Sequence, residues 1–161
     1  MGEVVAFEEI PKVLIAATLA AEDKRFFSHT GIDWLAVARA VRGNLGAKRV
    51  VSGASTITQQ LVKISGGGGR RTLWTKFAEA MQARRLEGMW SKNEILSAYL
   101  NRVSYGNLFT GCSSAASGYF NKPLSDLTPA EAAFLAALPQ APGRMNPFRD
   151  SAGALARQKR I

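Results

Sequence analysis

Apolar residues recur at helical spacing along most of this chain and almost nowhere alternate as a strand would. Pro11, placed at a first helical turn, leads into the run Val13-Leu14-Ile15-Ala16-Ala17-Thr18-Leu19, and the pattern predicts a buried helix to about Phe26. Ile32 to Val41 is a second amphipathic segment, with Asp33 as its cap and an end near Gly43-Asn44. A third helix follows the hydroxyl-rich stretch Ser52 to Thr58, with Ser52 or Ser55 at its N-cap. Ser65 and the glycines Gly66 to Gly69 make a flexible loop, since successive glycines hold no single conformation cheaply. Thr72 then caps a helix on which Leu73, Phe77 and Met81, at i, i+4 and i+8, read as a buried stripe.

Ser91-Lys92-Asn93-Glu94 is a capping box before the apolar face Ile95, Leu96, Tyr99, Leu100 and Val103. Gly106 and Gly111 bracket a loop ahead of a short helix through Ala115, Ala116, Tyr119 and Phe120. Thr128-Pro129-Ala130-Glu131 combines N-cap, N1 proline and capping-box glutamate, and starts an almost wholly apolar helix that Pro139 stops. Pro142 and Pro147 keep the next segment extended. Val4 to Phe7 reads as a short strand or an extended lead-in. The expected fold is a single, mostly α domain over residues 1–161.

Composition narrows the partners. The 161 residues suffice for one domain with a core, and a hydrophobic share of 47% excludes a disordered chain. Twenty-one basic residues against 12 acidic ones leave a net charge of +9, which points to an anionic partner: nucleic acid, a membrane surface or a phosphorylated substrate. Cys112 is the one cysteine, so no intrachain disulfide forms, and among small residues it packs as a small hydrophobe. No run approaches the roughly twenty apolar residues of a bilayer span. The start lacks a signal-peptide layout, so the chain is either a cytosolic protein or a catalytic core cut from a longer, anchored one, and the final helix from Ala154, which stops without a cap, favours the second.

The candidate chemistry begins at Glu22 and Asp23. A carboxylate at the C-terminal end of a helix meets the negative end of the macrodipole, and apolar neighbours would raise its pKa further, which suits a general base. The alternative is a solvated helix end. The start of the third helix, rich in hydroxyls and free N–H groups, is a ready anion site or else a well-capped polar helix. Lys63 lies one turn beyond Gln59 and Gln60, on their face. Lys76 and Glu79, at i and i+3, are placed for the lysine to keep the glutamate ionised, or form an ordinary surface pair.

Five motifs then occur in order. They are Glu22-Asp23-x-x-Phe26-x-x-His29-x-Gly31, Gly53-x-Ser55-Thr56-Ile57-Thr58-Gln59-Gln60, Lys76-x-x-Glu79, Lys92-x-x-Ile95-Leu96-x-x-Tyr99-Leu100-Asn101 and Ala130-Glu131-Ala132-Ala133-x-Leu135-Ala136. Together they resemble the peptidoglycan glycosyltransferase domain of bifunctional penicillin-binding proteins and monofunctional transglycosylases, from about Val5 to Arg160. The resemblance implies a lysozyme-like, mostly α fold with head and jaw lobes around a long cleft. It implies polymerisation of lipid II at the outer face of the bacterial plasma membrane, with lipid II, the growing glycan and an anionic membrane surface as partners and no nucleic acid.

By the same resemblance Glu22 is the catalytic base and Glu79 the second essential carboxylate. Asp23, Phe26, His29, Ser55, Thr56, Gln59, Gln60 and Lys63 match positions that support catalysis or bind the donor, and Arg71 and Lys76 match those that contact its diphosphate. A divalent cation, Mg or Mn, held by Glu79 is the one cofactor suggested; no organic cofactor is. The sequence departs from the family pattern at Thr75, Ser97 and Ile64, where arginine, glutamate and asparagine are usual, and in its glycine run.

The residue types agree with that chemistry. A lipid diphosphate leaves as a weak base, so it needs charge stabilisation from Lys63, Arg71, Lys76 or a cation rather than a proton. The attacking sugar 4-hydroxyl does need a base, and Glu22 fits, giving inversion to a β-1,4 product. A lysozyme-like or lytic glycan-cleaving enzyme instead needs a carboxylic acid to protonate its leaving group and has no use for the basic cluster. A non-catalytic basic module that binds anionic lipid or nucleic acid needs neither carboxylate.

Overall fold

The computed structural model describes residues 4–46, 55–66, 72–139 and 151–161. Among these residues the chain is helical, with no named strand and a single isolated bridge between Ser104 and Thr110. The helices are α1 (Lys12–Glu22), α2 (Trp34–Gly46), α3 (Ile57–Ser65), α4 (Leu73–Glu87), α5 (Lys92–Arg102), α6 (Cys112–Phe120), α7 (Pro129–Ala137) and α8 (Ser151–Gln158). The mostly α fold expected from the sequence is what forms.

Helix α1 packs along α7, which also packs on α8, while α3 packs on both α4 and α5. Leu14, Phe26, Ile57, Leu61, Ile95, Leu96, Leu100, Leu135 and Leu138 meet in one core, joined by the buried Cys112. Burial pushes the Cys112 thiol up to about 11, so it behaves as a small hydrophobe. Val4 to Ala6 is an extended lead-in rather than a strand, followed by a 3-10 turn over Phe7–Glu9. Asn101 holds that lead-in: its Oδ1 accepts from the Val5 N–H and its Nδ2 donates to the Val5 carbonyl, both at 3.0 Å.

Capping chemistry sets most helix ends. Ser91 and Thr128 close capping boxes as the sequence suggests, and Thr72, expected as a cap, closes one with Thr75. Asp33 accepts the Ala36 N–H at 3.0 Å and starts α2, which runs on to Gly46 rather than ending near Gly43-Asn44. At α3 the cap is Thr56 rather than Ser55, because the Thr56 hydroxyl accepts the Gln59 N–H while the Gln59 side chain accepts the Thr56 N–H. Ser52 and the Gly67–Gly69 run lie outside the described residues, as do Pro142 and Pro147. Lys122 and Thr128 bind the Glu131 carboxylate and hold its pKa down to about 2.

Two expectations are corrected. Helix α1 stops at Glu22 instead of continuing to Phe26, because Asp23 leaves the helical conformation and turns its carboxylate onto α3; Phe26–Ser28 is a separate 3-10 turn. The stripe Leu73, Phe77 and Met81 is not buried: these residues are 89%, 57% and 51% exposed, and Trp74 beside them 76%. The spacing was amphipathic, but spacing alone does not say which face meets the core. At 3.6 residues per turn, Lys76, Glu79, Ala83 and Glu87 share one face of α4, with Trp74, Phe77 and Met81 opposite. Ala83 alone among the described α4 residues is fully buried, so the first face docks and the apolar one is left outside.

Candidate active site

Glu22 is the last residue of α1, and its side chain is only 1% exposed. Its Oε2 accepts a hydrogen bond from the Gln60 amide at 2.9 Å, and its Oε1 pairs with the Arg157 guanidinium of α8 at 3.2 Å. Both partners stabilise the carboxylate anion, the form that can accept a proton.

The Gln60 amide has its own holder. The Tyr99 hydroxyl donates to Gln60 Oε1 at 3.1 Å, which leaves the NH2 end facing Glu22. Tyr99 is fully buried; burial first, then the nearby Glu22 charge, push its phenol well above the ordinary value, so it stays a donor. Three helices thereby fix one carboxylate: α5 through Tyr99, α3 through Gln60 and α8 through Arg157. Tyr99 reads in sequence as one residue of an apolar face, although a buried phenol needs a partner for its O–H. Arg157, far along the chain from Glu22, gives no local signal at all.

Asp23 faces another way. It accepts the first amide of α3, Ile57 N–H, at 3.0 Å, and both its oxygens lie 3.0 Å from His29 Nε2. A carboxylate at a helix N-terminus is favoured by the free amides and the dipole there. Asp23 being an acceptor, Nε2 is assigned the imidazole proton. Thr56, 2% exposed, caps α3 and also donates to the Gly31 carbonyl at 2.7 Å. The hydroxyl-rich start of α3 is thus tied to the segment after Glu22 by two side chains, Asp23 and Thr56.

Glu22, Asp23, Ser55 and Thr56 border a cleft of about 630 Å³, with Lys24, Arg25 and Arg39 contributing positive charge to its lining. A second cavity of about 400 Å³ lies between α1 and α8, against Arg157 and Arg160. Of the residues singled out in sequence, Ser55 is exposed at the cleft, Gln60 holds Glu22, and Gln59 is engaged in the α3 cap. Phe26, 1% exposed, and His29, 5% exposed at its side chain, sit behind the cleft rather than in it.

Lys63 near the end of α3 and Lys76 in the first turns of α4 are exposed, and Glu79 is half-buried. No ion pair joins Lys76 to Glu79 or engages Lys63 among the described residues. The expected pairing of Lys76 with Glu79 is therefore not made, and both lysines keep their charge available. Thr75, where the family pattern has arginine, closes the α4 cap with Thr72. Arg71 lies outside the described residues.

The family described as transglycosylase matches residues 1–161. A penicillin-binding protein 1A of Neisseria flavescens is 47% identical over 159 residues, covering 99% of this chain and 20% of its own length. The protein of that name from Neisseria lactamica is 48% identical over 153 residues, 95% of this chain and 19% of its own. That from Aquifex aeolicus is 42% identical over 157 residues, 98% of this chain and 22% of its own. The chain spans about a fifth of the length of these relatives. It belongs to the transglycosylase family, the peptidoglycan glycosyltransferases.

Proposed function

We propose that the chain polymerises lipid II into glycan strands by inverting β-1,4 glycosyl transfer, with Glu22 as general base. The observation that carries this reading is the Glu22 carboxylate, secluded and held by Gln60 and Arg157 at the edge of a cleft lined by both acidic and basic side chains. In the proposed step the incoming sugar's 4-hydroxyl gives its proton to Glu22 as its oxygen attacks the donor's anomeric carbon. The bond to the lipid diphosphate breaks, and the diphosphate leaves with the electron pair. Being a weak base, it takes no proton; Lys63 and Lys76, with Arg71, supply the positive charge that its release needs.

Glu79 is proposed as the second working carboxylate. Among the described residues no three His, Cys, Asp or Glu side chains gather. A divalent cation therefore fits here only as Mg²⁺ or Mn²⁺ is commonly held, by one carboxylate (Glu79) together with substrate phosphate oxygens. Bound in that way it would offset leaving-group charge. Asp23 and His29, turned towards α3, are supports of the site, as are the buried Phe26 and the capping pair Thr56 and Gln59. Ser55 and Lys63 are left to meet the donor.

The apolar face of α4 supports a membrane location. Trp74 and Phe77 stack at 5.9 Å between ring centroids and, with Leu73 and Met81, face outward on a strongly basic chain. Such a face is suited to lie in the headgroup region of an anionic bilayer. No helix among the described residues is long and apolar enough to cross a membrane. We place residues 1–161 as the glycosyltransferase domain of a longer, anchored protein, working at the outer face of the plasma membrane.

The test is product analysis. Incubated with lipid II, with and without divalent cation, the chain is expected to lengthen glycan and release lipid diphosphate. Fragments from preformed glycan, with no polymer from lipid II, would overturn the reading in favour of a lytic enzyme.

A further inference from the structure

The carboxylate of Glu87, at the C-terminal end of α4, is almost as secluded as that of Glu22, yet nothing in the proposed reaction uses it. Its side chain is 4% exposed. It accepts from the hydroxyl of Thr58, itself fully buried in α3, and pairs with Lys92 of α5, whose Nζ lies 2.8 Å from one oxygen and 2.7 Å from the other. The same ammonium stands 4.3 Å over the ring of Phe26 in the turn after Glu22. One carboxylate thus ties α4 to α3, to α5 and, through the cation, to the turn that carries Asp23.

A second attachment lies one turn earlier on α4. Gly31, at φ +86, brings the chain against the backbone of Ala83 and Arg84, so close that a Cβ there would sit 2.9 Å from their atoms. Arg84 reaches Thr30 in the same loop with a 2.6 Å hydrogen bond. Among the described residues, the buried anchorage of α4 is confined to this end. Its described residues from Leu73 to Gln82 include none that is buried, and Leu73, Trp74, Phe77 and Met81 face outward. Glu79, on the same face as Ala83 and Glu87, is therefore carried on a helix whose buried contacts among the described residues lie toward its C-terminal end.

We infer that Glu87, with Thr58 and Lys92, is a positioning group for Glu79: it sets the rotation and tilt of α4 and so the placement of the second carboxylate against Glu22. A buried, paired carboxylate suits this task because its partners lie in fixed directions on separate helices, whereas an apolar contact would allow α4 to slide or turn. The inference rests on the reading of Glu79 as a working residue of lipid II polymerisation.

The test uses Thr58→Val, which keeps shape and removes the hydroxyl, alongside Thr58→Ser, which restores it, and Glu79→Gln as control. Polymerisation of lipid II is expected to lose about ten- to a hundredfold in kcat in Thr58→Val, the scale on which a small misplacement acts, with KM little changed. Thr58→Ser should recover most of it. Spin labels at Gln82 and Lys12, both exposed, should give a broadened or shifted distance distribution in Thr58→Val alone. If that variant does not fold, Glu87→Gln/Lys92→Met, which removes both charges together, takes its place with the same expectations.

Wild-type kcat and an unchanged distance distribution, with Glu79→Gln inactive, would overturn the inference while leaving the proposed function intact. Full activity in Glu79→Gln would instead overturn the role of Glu79, and this inference with it.

Discussion

Replacing Tyr99 by phenylalanine removes one oxygen and asks whether the relay from α5 through Gln60 to Glu22 holds the base. The lost hydroxyl donates to Gln60 Oε1 at 3.1 Å in a fully buried setting. A neutral hydrogen bond of this kind contributes about 0.5–1.5 kcal/mol net, and the amide oxygen left behind adds its own desolvation cost. For a domain of this size each kcal/mol corresponds to about 2–4 °C in melting temperature. The functional effect should be larger than the stability effect suggests. Without the phenol, the Gln60 amide keeps among the described residues only its contact with Glu22 to orient it, so it is free to swing and holds the carboxylate less firmly. We expect kcat for lipid II polymerisation to fall by about tenfold or more, about 1.4 kcal/mol in the barrier. Calorimetry and a single-turnover polymerisation assay measure the two effects separately. A variant that melts lower but polymerises with wild-type kcat would refute the relay.

Other substitutions follow from the same geometry. Gly31→Ala forces a Cβ into the backbone of Ala83 at 2.9 Å and adds the left-handed penalty of about 1–2 kcal/mol, so its urea midpoint should drop clearly; an unchanged midpoint would show that the loop does not pack on α4 as described. Trp74→Ala/Phe77→Ala removes two exposed rings from α4, each giving about 1.5–3 kcal/mol when taken fully out of water. Sedimentation with anionic vesicles should show at least about tenfold weaker binding while the melting temperature holds. Because Glu131 is held at about 2 against an ordinary 4.5, its ionised contacts stabilise the fold above about pH 4.5 and are lost as pH falls from there towards 2. Glu131→Gln should flatten that part of the stability-versus-pH curve, and equal slopes in both proteins would contradict it.

Local chemistry made much of the fold legible. Capping boxes at Ser91 and Thr128, the Pro129 start and the helix-stopping Pro139 work over a few residues and carry their own hydrogen-bond partners, so spacing alone locates them. The expectation for α4 failed for the complementary reason. Leu73, Phe77 and Met81 have helical periodicity, but the side of α4 that docks was decided by the partners that Ala83 and Glu87 meet elsewhere in the chain, Gly31 and Lys92. The site divided in the same way. Glu22 and Gln60 were identifiable as site residues, whereas Tyr99, although part of the fourth motif, reads as one residue of an apolar face, and Arg157 reaches Glu22 across nearly the whole sequence. Asp23 matches a position that supports catalysis or binds the donor, and its geometry is that of a cap for α3, since the nearest unsatisfied donors are the amides of that helix.

The measurement that bears most directly on the account is lipid II polymerisation by Glu22→Gln beside the wild type, with circular dichroism to confirm the fold. Glutamine keeps the shape of the side chain and can still meet Gln60 and Arg157, but it cannot take the proton of the attacking hydroxyl. A folded variant that binds lipid II and makes no polymer is the predicted result. Polymerisation at the wild-type rate would contradict the assignment of Glu22 as base.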